Sequence, residues 1–379
     1  MDFSLDREQI AIQQAAAEFA RGEFDPEAAL EHDQLREFPS EIWKKACELG
    51  FIGVHVEEEY GGQGFGRLEN AIIVEAFCRQ DSGIGIALAL SDFGSEMLLM
   101  YGSEEQKKKI LPRIAQGKGI ITVALLEGGY GLASFSTTLR KEKAGYVVNG
   151  EKSHVTLGGL ADYLLVACQG EPDDTASQSV VLVENGARGV DVASMGEVVG
   201  MRMLPWNRIG FGLVSIPPEN IVGEDGKGMA QVRDFLNEMR IEAGAMGVGI
   251  AQGALDMALA YGKRREQFGR TIVTFDAIRN KLADMYMETE LARLVTYRAA
   301  WLFDNGNPEP RSALLAKAVG AKAAYRVTYD ALQIYGGFGY MKEGHIERFY
   351  RDAKVLDLFL EPARVERGFL ADEVAGKRA

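Results

Sequence analysis

The chain has 379 residues, of which 47% are hydrophobic, 26% charged and 9% aromatic. This composition is that of a globular protein with room for two or three domains, and it excludes disorder as the main state. With 42 Lys and Arg residues against 55 Asp and Glu residues, the net charge is −13. Such a charge excludes a general nucleic-acid binder, so an anionic ligand needs a local basic cluster.

No stretch approaches the roughly eighteen consecutive apolar residues that a membrane-spanning helix needs, and the start MDFSLDREQ lacks the pattern of a secretory signal. We therefore expect no membrane span and a cytoplasmic location. Cys47, Cys78 and Cys168 are too widely spaced for a local disulfide or metal motif, which predicts buried thiols. The four histidines show no metal-ligand spacing either.

The hydrophobic pattern changes period twice along the chain. Residues 1–121 show helical spacing, and Ser103 with Gln106 forms a capping box ahead of KKKILPRIA. Residues 122–228 contain short β-rich runs, and helical spacing returns over residues 229–379, with NGNPEP as a loop. The predicted fold is therefore α+β and multidomain: a helical N-terminal domain, a β middle domain and a C-terminal four-helix bundle.

Six motifs lie in a compatible order: EEYGGQGFG near Tyr60, NGEKSHVT near Lys152, LNEMR from Leu236, KRREQFG, QIYGGFGYMKE and ERFYRDAK. Together they resemble the acyl-CoA dehydrogenase family over nearly the whole chain. The resemblance implies the same three domains, bound FAD, an acyl-CoA substrate, a homotetramer and an electron-transferring flavoprotein as partner.

One group of matching positions concerns the FAD diphosphate. Arg265 matches an arginine that acts across a subunit interface, where its guanidinium would donate to the diphosphate; Gln267 and Phe268 lie beside it. Without the resemblance, KRR would be a solvated helix end. Gly336 and Gly337 suit a close approach of the cofactor, or equally a helix cap and turn. Gln333 matches a residue that reaches the same cofactor.

A second group concerns the flavin ring. Thr156 matches a donor near flavin N5, and His154 stands where many relatives have an aromatic ring. Leu126 and Leu132 replace hydroxyl-bearing residues, so they cannot donate the usual hydrogen bonds. Some contacts to flavin or CoA must therefore differ in this chain.

Arg240 matches an arginine that holds the CoA arm, with Asn237 one helical turn before it. A helix arginine is more commonly paired with a carboxylate three or four places away, but Leu236, Asn237, Ala243 and Gly244 offer none. The pattern therefore favours a ligand for Arg240.

The glutamate that normally removes the α proton is missing. Counting from Lys354, its position holds Leu360, which we expect to line the substrate site. An alternative position for the base, just before the CoA arginine, holds Met239. Two replacements remain, namely Glu361 after a shift of the loop, and Asp92 in the segment that lines the acyl pocket of the family. A simple helix cap is the other interpretation of Asp92.

This combination resembles the cyclohex-1-ene-1-carboxyl-CoA dehydrogenases, in which an aspartate on the pocket wall is the base. The leading hypothesis is a 1,4-elimination with Asp92 as base, which gives cyclohexa-1,5-diene-1-carboxyl-CoA. The alternatives are α,β-dehydrogenation of a saturated acyl-CoA by Glu361, and a non-catalytic or partner-dependent flavoprotein subunit. A flavin monooxygenase is less expected, because Arg240 is present.

Overall fold

The computed structural model describes residues 4–128, 135–170 and 177–376. Its N-terminal part is helical, and its helices are α1 (Arg7–Glu23), α2 (Pro26–Leu35), α3 (Ser40–Glu48), α4 (Arg67–Gln80), α5 (Ser82–Ala89), α6 (Ser95–Tyr101) and α7 (Glu104–Ala115). The predicted capping box is confirmed. Ser103 Oγ accepts from Gln106 N at 3.2 Å, and Gln106 Oε1 accepts from Ser103 N at 3.0 Å.

The middle part is a mixed β-sheet in which the strands lie in the order β6-β7-β3-β2-β4-β5-β8, with β1 paired to β4. Their bounds are β1 (Ile121–Ala124), β2 (Thr138–Glu142), β3 (Gly145–Thr156), β4 (Tyr163–Gln169), β5 (Gln178–Glu184), β6 (Val190–Ser194), β7 (Trp206–Ile216) and β8 (Ile221–Val222). Strand β4 is buried along its whole length, because it lies in the interior of the sheet.

The C-terminal part is a bundle of long helices. Its elements are α8 (Gly228–Arg264), the short hairpin β9 (Glu266–Gln267) and β10 (Arg270–Thr271), α9 (Asp276–Asp304), α10 (Pro310–Tyr335), α11 (Ile346–Leu356) and α12 (Ala363–Val374). Glycines let α8 and α10 cross closely, since a Cβ atom on Gly247 would lie 2.5 Å from the Gly320 backbone. The predicted order of helical, β and helical domains is therefore confirmed.

Helix α8 is the central element that positions the site. Within the described ranges it is the one helix long and apolar enough to cross a membrane, but 72% of its most apolar stretch is buried inside the protein. Its apolar length therefore reflects contacts with α4, α9 and α10. The three cysteines are also buried, as predicted.

Candidate active site

A cavity of about 400 Å³ lies where the three domains meet, and we call it the central cavity. The β domain contributes Leu126, His154, Thr156 and Trp206 to its wall. The helical domains contribute further apolar side chains, chiefly Phe93, Leu236, Phe359 and Leu360. Such a mostly apolar slot with a few polar groups suits a flat ring system and an acyl chain.

A β-bulge directs His154 into the central cavity. The register of β3 against β7 shifts between Lys152 and Val155, and His154 has the left-handed φ of 53°. Its Nδ1 lies 3.0 Å from Ser153 Oγ. Thr156, two residues further on, is buried, and its carbonyl accepts from Thr122 Oγ1 at 2.7 Å. The predicted flavin-ring residues Thr156, His154 and Leu126 therefore share one cavity.

The segment that carries Leu126 is fixed to strand β3. Ser153 N donates to Leu126 O at 2.8 Å, and the buried Lys152 Nζ lies 2.7 Å from Glu127 Oε1. Burial raises the pKa of Glu127, but hydrogen bonds from Lys152, Ser136 and Thr137 outweigh it and lower that pKa to about 2. Leu132, the other predicted departure in this segment, lies outside the described residues.

A second cavity of about 940 Å³ lies between the β9–β10 hairpin and the C-terminal end of α10, and we call it the hairpin cavity. Arg265, Gln267 and Phe268 line it, together with Gly336 and Gly337. Arg265 is exposed and has no acidic partner within the part of the chain that the structure describes. A free guanidinium in an open cavity fits a diphosphate. Stacked Tyr261 and Tyr335 rings, with centroids 4.2 Å apart, form another part of its wall.

The backbone conformation of Gly336 by itself explains why glycine is found at this position. It ends α10 with a φ of 59°, and a Cβ at Gly336 or Gly337 would meet nothing within 4 Å. The helix-cap interpretation therefore suffices for Gly336, and close packing within the chain explains neither glycine. Gln333 is exposed on the last turn of α10 and does not line either cavity.

Asp92 is buried, and it is not a side-chain cap. Helix α6 begins after Gly94 without a side-chain cap, whereas Asp92 Oδ2 accepts from Gly53 N at 3.0 Å. Burial, aided by the charge of Glu96, raises its pKa to about 8. Its neighbour Phe93 lines the central cavity, but the Asp92 side chain instead borders a small void beside Asn70. Asp92 is therefore next to a lining residue of the central cavity without lining it, and its role as the base stays a prediction.

Arg240 has acidic partners after all, which corrects the inference from its own helix. Its Nη2 donates to Glu361 Oε2 at 2.9 Å, and its Nε lies 3.6 Å from Glu366 Oε1. Asn237 Oδ1 accepts from Arg240 Nη1 at 2.8 Å. Lys317 completes this group, with Nζ 2.8 Å from Glu366 Oε2. We call Arg240, Lys317, Glu361 and Glu366 the paired cluster.

Glu361 points into the paired cluster and does not line the central cavity. Burial raises its pKa, against the opposing attraction of Arg240. Leu360 faces the cavity instead, with a φ of 65°. Met239 is buried. Among residues 4–128, 135–170 and 177–376, the central cavity has no carboxylate in its wall.

All three domains match models of one family. Acyl-CoA dehydrogenase N-terminal, middle and C-terminal domain models match residues 6–118, 126–214 and 226–374. The chain belongs to the acyl-CoA dehydrogenase family. It is an FAD-dependent oxidoreductase, and its substrates are CoA thioesters.

Similar proteins span the whole chain. The probable acyl-CoA dehydrogenase YngJ of Bacillus subtilis is 36% identical and covers 99% of this chain and 100% of its own length. Butyryl-CoA dehydrogenase from Megasphaera elsdenii superposes with a TM-score of 0.94 at 30% identity, over 99% of this chain and 100% of that one. A chain in the structure of the electron transferring flavoprotein of Acidaminococcus fermentans gives 0.95 at 33% identity, over 99% of both chains.

Several residues of the site were not found from the sequence. Phe93, Trp206 and Phe359 line the central cavity, and Lys317 and Glu366 join Arg240. Trp206 carried a weak signal as one of three tryptophans in the chain, at the start of a β run. Lys317 and Glu366 carried none, because their partners lie far away in the sequence.

Proposed function

We propose that this acyl-CoA dehydrogenase oxidises cyclohex-1-ene-1-carboxyl-CoA to cyclohexa-1,5-diene-1-carboxyl-CoA, with Asp92 as the base. A proton leaves ring C3 for the Asp92 carboxylate, and a hydride leaves ring C6. The C1–C2 double bond is replaced by C2–C3 and C1–C6 double bonds, so atoms and electrons balance. When bound, FAD supplies the hydride acceptor.

The state of the Asp92 carboxyl carries this proposal. It is buried, it makes no ion pair with any described residue, and its pKa is raised to about 8. A carboxyl with such a pKa is a better proton acceptor than an ordinary aspartate, and it releases the proton again near neutral pH. To reach a substrate in the central cavity, the side chain must give up the hydrogen bond that it accepts from Gly53 N. The proposal therefore requires that the Asp92 side chain turns toward the central cavity when substrate binds.

Ordinary α,β-dehydrogenation by Glu361 has weaker support. The Glu361 carboxylate accepts from Arg240, and the Glu361 carbonyl accepts from Lys317 Nζ at 2.8 Å. Freeing Glu361 would leave the buried Arg240 with one fewer partner, which is costly.

The proposal includes the family's partners. The hairpin cavity and the central cavity share no lining residue, which fits the family's arrangement, in which the arginine that matches Arg265 reaches the FAD site of a second subunit. A homotetramer is proposed on that ground, and an electron-transferring flavoprotein as the electron acceptor. The cytoplasmic location stays a prediction.

The test is anaerobic mixing of the purified flavoprotein with single acyl-CoAs while flavin absorbance is followed. Cyclohex-1-ene-1-carboxyl-CoA should bleach the flavin, and the diene should appear by mass spectrometry. Asp92→Asn should keep its flavin and lose at least a hundredfold in bleaching rate. Asp256→Asn, which alters an exposed carboxylate bonded to Arg79, is the matched control and should behave as the unaltered protein.

The alternatives give different results. Bleaching by a saturated acyl-CoA that disappears in Glu361→Gln but persists in Asp92→Asn would replace this proposal with ordinary dehydrogenation. Absence of bleaching by every thioester would favour a subunit that depends on a partner.

A further inference from the structure

Leu360 occupies a backbone conformation that leucine rarely adopts. Its φ of 65° lies in the left-handed region, where its Cβ crowds the following carbonyl and where glycine is usual. Yet the side chain is buried, and it forms part of the central cavity wall. Such strain persists only where surrounding contacts impose it, and it is a reason to look for a functional role.

The contacts that impose it are concentrated on the next residue. Glu361 N donates to Phe359 O at 2.8 Å, so the backbone makes a tight turn around Leu360. Lys317 Nζ, from α10, donates to the Glu361 carbonyl, and Arg240 Nη2, from α8, donates to its carboxylate at 2.9 Å. Two helices of the bundle therefore hold both the backbone and the side chain of Glu361.

Phe359, on the other side of Leu360, is held as well. Its ring centroid lies 5.9 Å from that of Phe93, which in turn lies 5.2 Å from Phe235. Aromatic contacts of this kind resist displacement. The turn is therefore anchored by ring packing before Leu360 and by buried charge after it.

We infer that Leu360 is a fixed steric wall that limits the size of the acyl group, and that Glu361 is the positioning residue that holds Leu360 in place. The inference rests on the central cavity being the acyl site of the proposed function, but not on Asp92 being the base. Leu360 lines the cavity together with Leu126 and Thr156. Its side chain therefore limits the space between the Leu360 turn and the β domain.

Binding of two thioesters without an oxidisable C–H pair, benzoyl-CoA and the larger 2-naphthoyl-CoA, tests the inference by titration of the FAD-bound protein. The readouts are calorimetry and the change in flavin absorbance. We expect the unaltered protein to prefer benzoyl-CoA. Leu360→Ala should improve the affinity for 2-naphthoyl-CoA at least tenfold relative to that for benzoyl-CoA.

Variants at Glu361 separate positioning from direct contact. Glu361→Ala should relax the same preference by at least fivefold, because Leu360 loses its anchor, and Glu361→Gln should restore most of it, since an amide oxygen still accepts from Arg240. Glu366→Gln is the matched control, because it removes a charge from the same cluster without lying in the Leu360 turn. It should change the preference less than Glu361→Ala does.

An unchanged preference in Leu360→Ala would overturn the inference, and so would equal effects of Glu361→Ala and Glu366→Gln. If Glu361→Ala does not fold, the Leu360→Ala result decides alone. Neither ligand is oxidised, so these outcomes are independent of whether Asp92→Asn retains turnover.

Discussion

Helix α8 separates two buried groups of charged residues, and the buried charge is neutralised in a different way in each group. Glu238 and Arg240 are two residues apart and therefore point in directions roughly 200° apart around the helix. Arg240 belongs to the paired cluster, in which two cations face two carboxylates. On the other side, Arg67 is the guanidinium among four carboxyls, which we call the acidic cluster: Asp92, Glu96, Glu238 and Glu242.

The two clusters differ in what neutralises their charge. In the paired cluster, short contacts between opposite charges do so, and they also fix the turn at Leu360. In the acidic cluster, burial and mutual repulsion raise the pKa of Asp92 and of Glu238 to about 8. They also raise the pKa of Glu242 well above its ordinary value. Protons therefore replace cations in the acidic cluster.

Breaking the paired cluster should have the largest effect. Lys317→Met leaves the buried Glu366 with Arg240 alone, at 3.6 Å, and removes the donor to Glu361 O, so we expect a loss of about 3–5 kcal/mol in the free energy of unfolding. Urea denaturation measures it. The double variant Lys317→Met/Glu366→Leu should recover most of the loss. No recovery would show that packing, and not charge, was removed.

The acidic cluster should make stability depend on pH. Asp92 keeps a proton in the folded state up to about pH 8, whereas the unfolded chain releases it near its ordinary pKa of 3.8. The stability from this group is complete below about pH 4 and is lost as pH rises through 8. Asp92→Asn should therefore flatten the fall in stability by up to about 1.4 kcal/mol per pH unit within that window. Thermal unfolding from pH 5 to 9 checks this, and parallel curves would contradict it.

The same proton should control the rate. If Asp92 accepts the substrate proton, the first-order rate of flavin bleaching should rise about tenfold per pH unit up to a midpoint near 8. Glu96→Gln removes a charge that raises the Asp92 pKa, so it should move the midpoint to lower pH. Stopped-flow mixing from pH 6 to 9.5 measures both. A midpoint that does not move would show that the charge of Glu96 does not raise the pKa of Asp92.

The smallest effect should come from Glu242→Gln. A carboxyl that already holds a proton resembles an amide in shape and polarity, so the change should cost about 1 kcal/mol or less at pH 6. Urea denaturation of Glu242→Gln and of Lys317→Met in parallel compares the two losses in the free energy of unfolding directly. A loss as large as that of Lys317→Met would mean that Glu242 is ionised and paired.

Local sequence signals predicted the fold well. The Ser103 and Gln106 pair gave the start of α7, since a capping box involves only neighbouring residues. Short β-rich runs located β4 and β5, which are almost continuously apolar because both strands are buried in one sheet. The family motifs also brought Leu126, His154 and Thr156 into one cavity.

The site was less predictable, because its chemistry depends on contacts between distant parts of the chain. Arg240 looked unpaired because its partners lie more than 120 residues later and reach it only through the packing of α8, α10 and α12. The left-handed turn at Leu360 has no local signal, since leucine is not a residue that prefers it. The orientation of Asp92 depends on Gly53, which no helical pattern connects to it.

The β9–β10 hairpin has a practical consequence for handling the protein. Its turn holds Phe268 at a left-handed φ of 52° with 93% of the residue exposed, beside a wide and open cavity. An aromatic ring exposed in this way favours contact with a second subunit, and such a contact is lost when the protein is diluted. We therefore expect dilute samples to lose bound FAD, and with it their yellow colour, while their circular dichroism spectrum is unchanged. Concentrated samples should stay yellow.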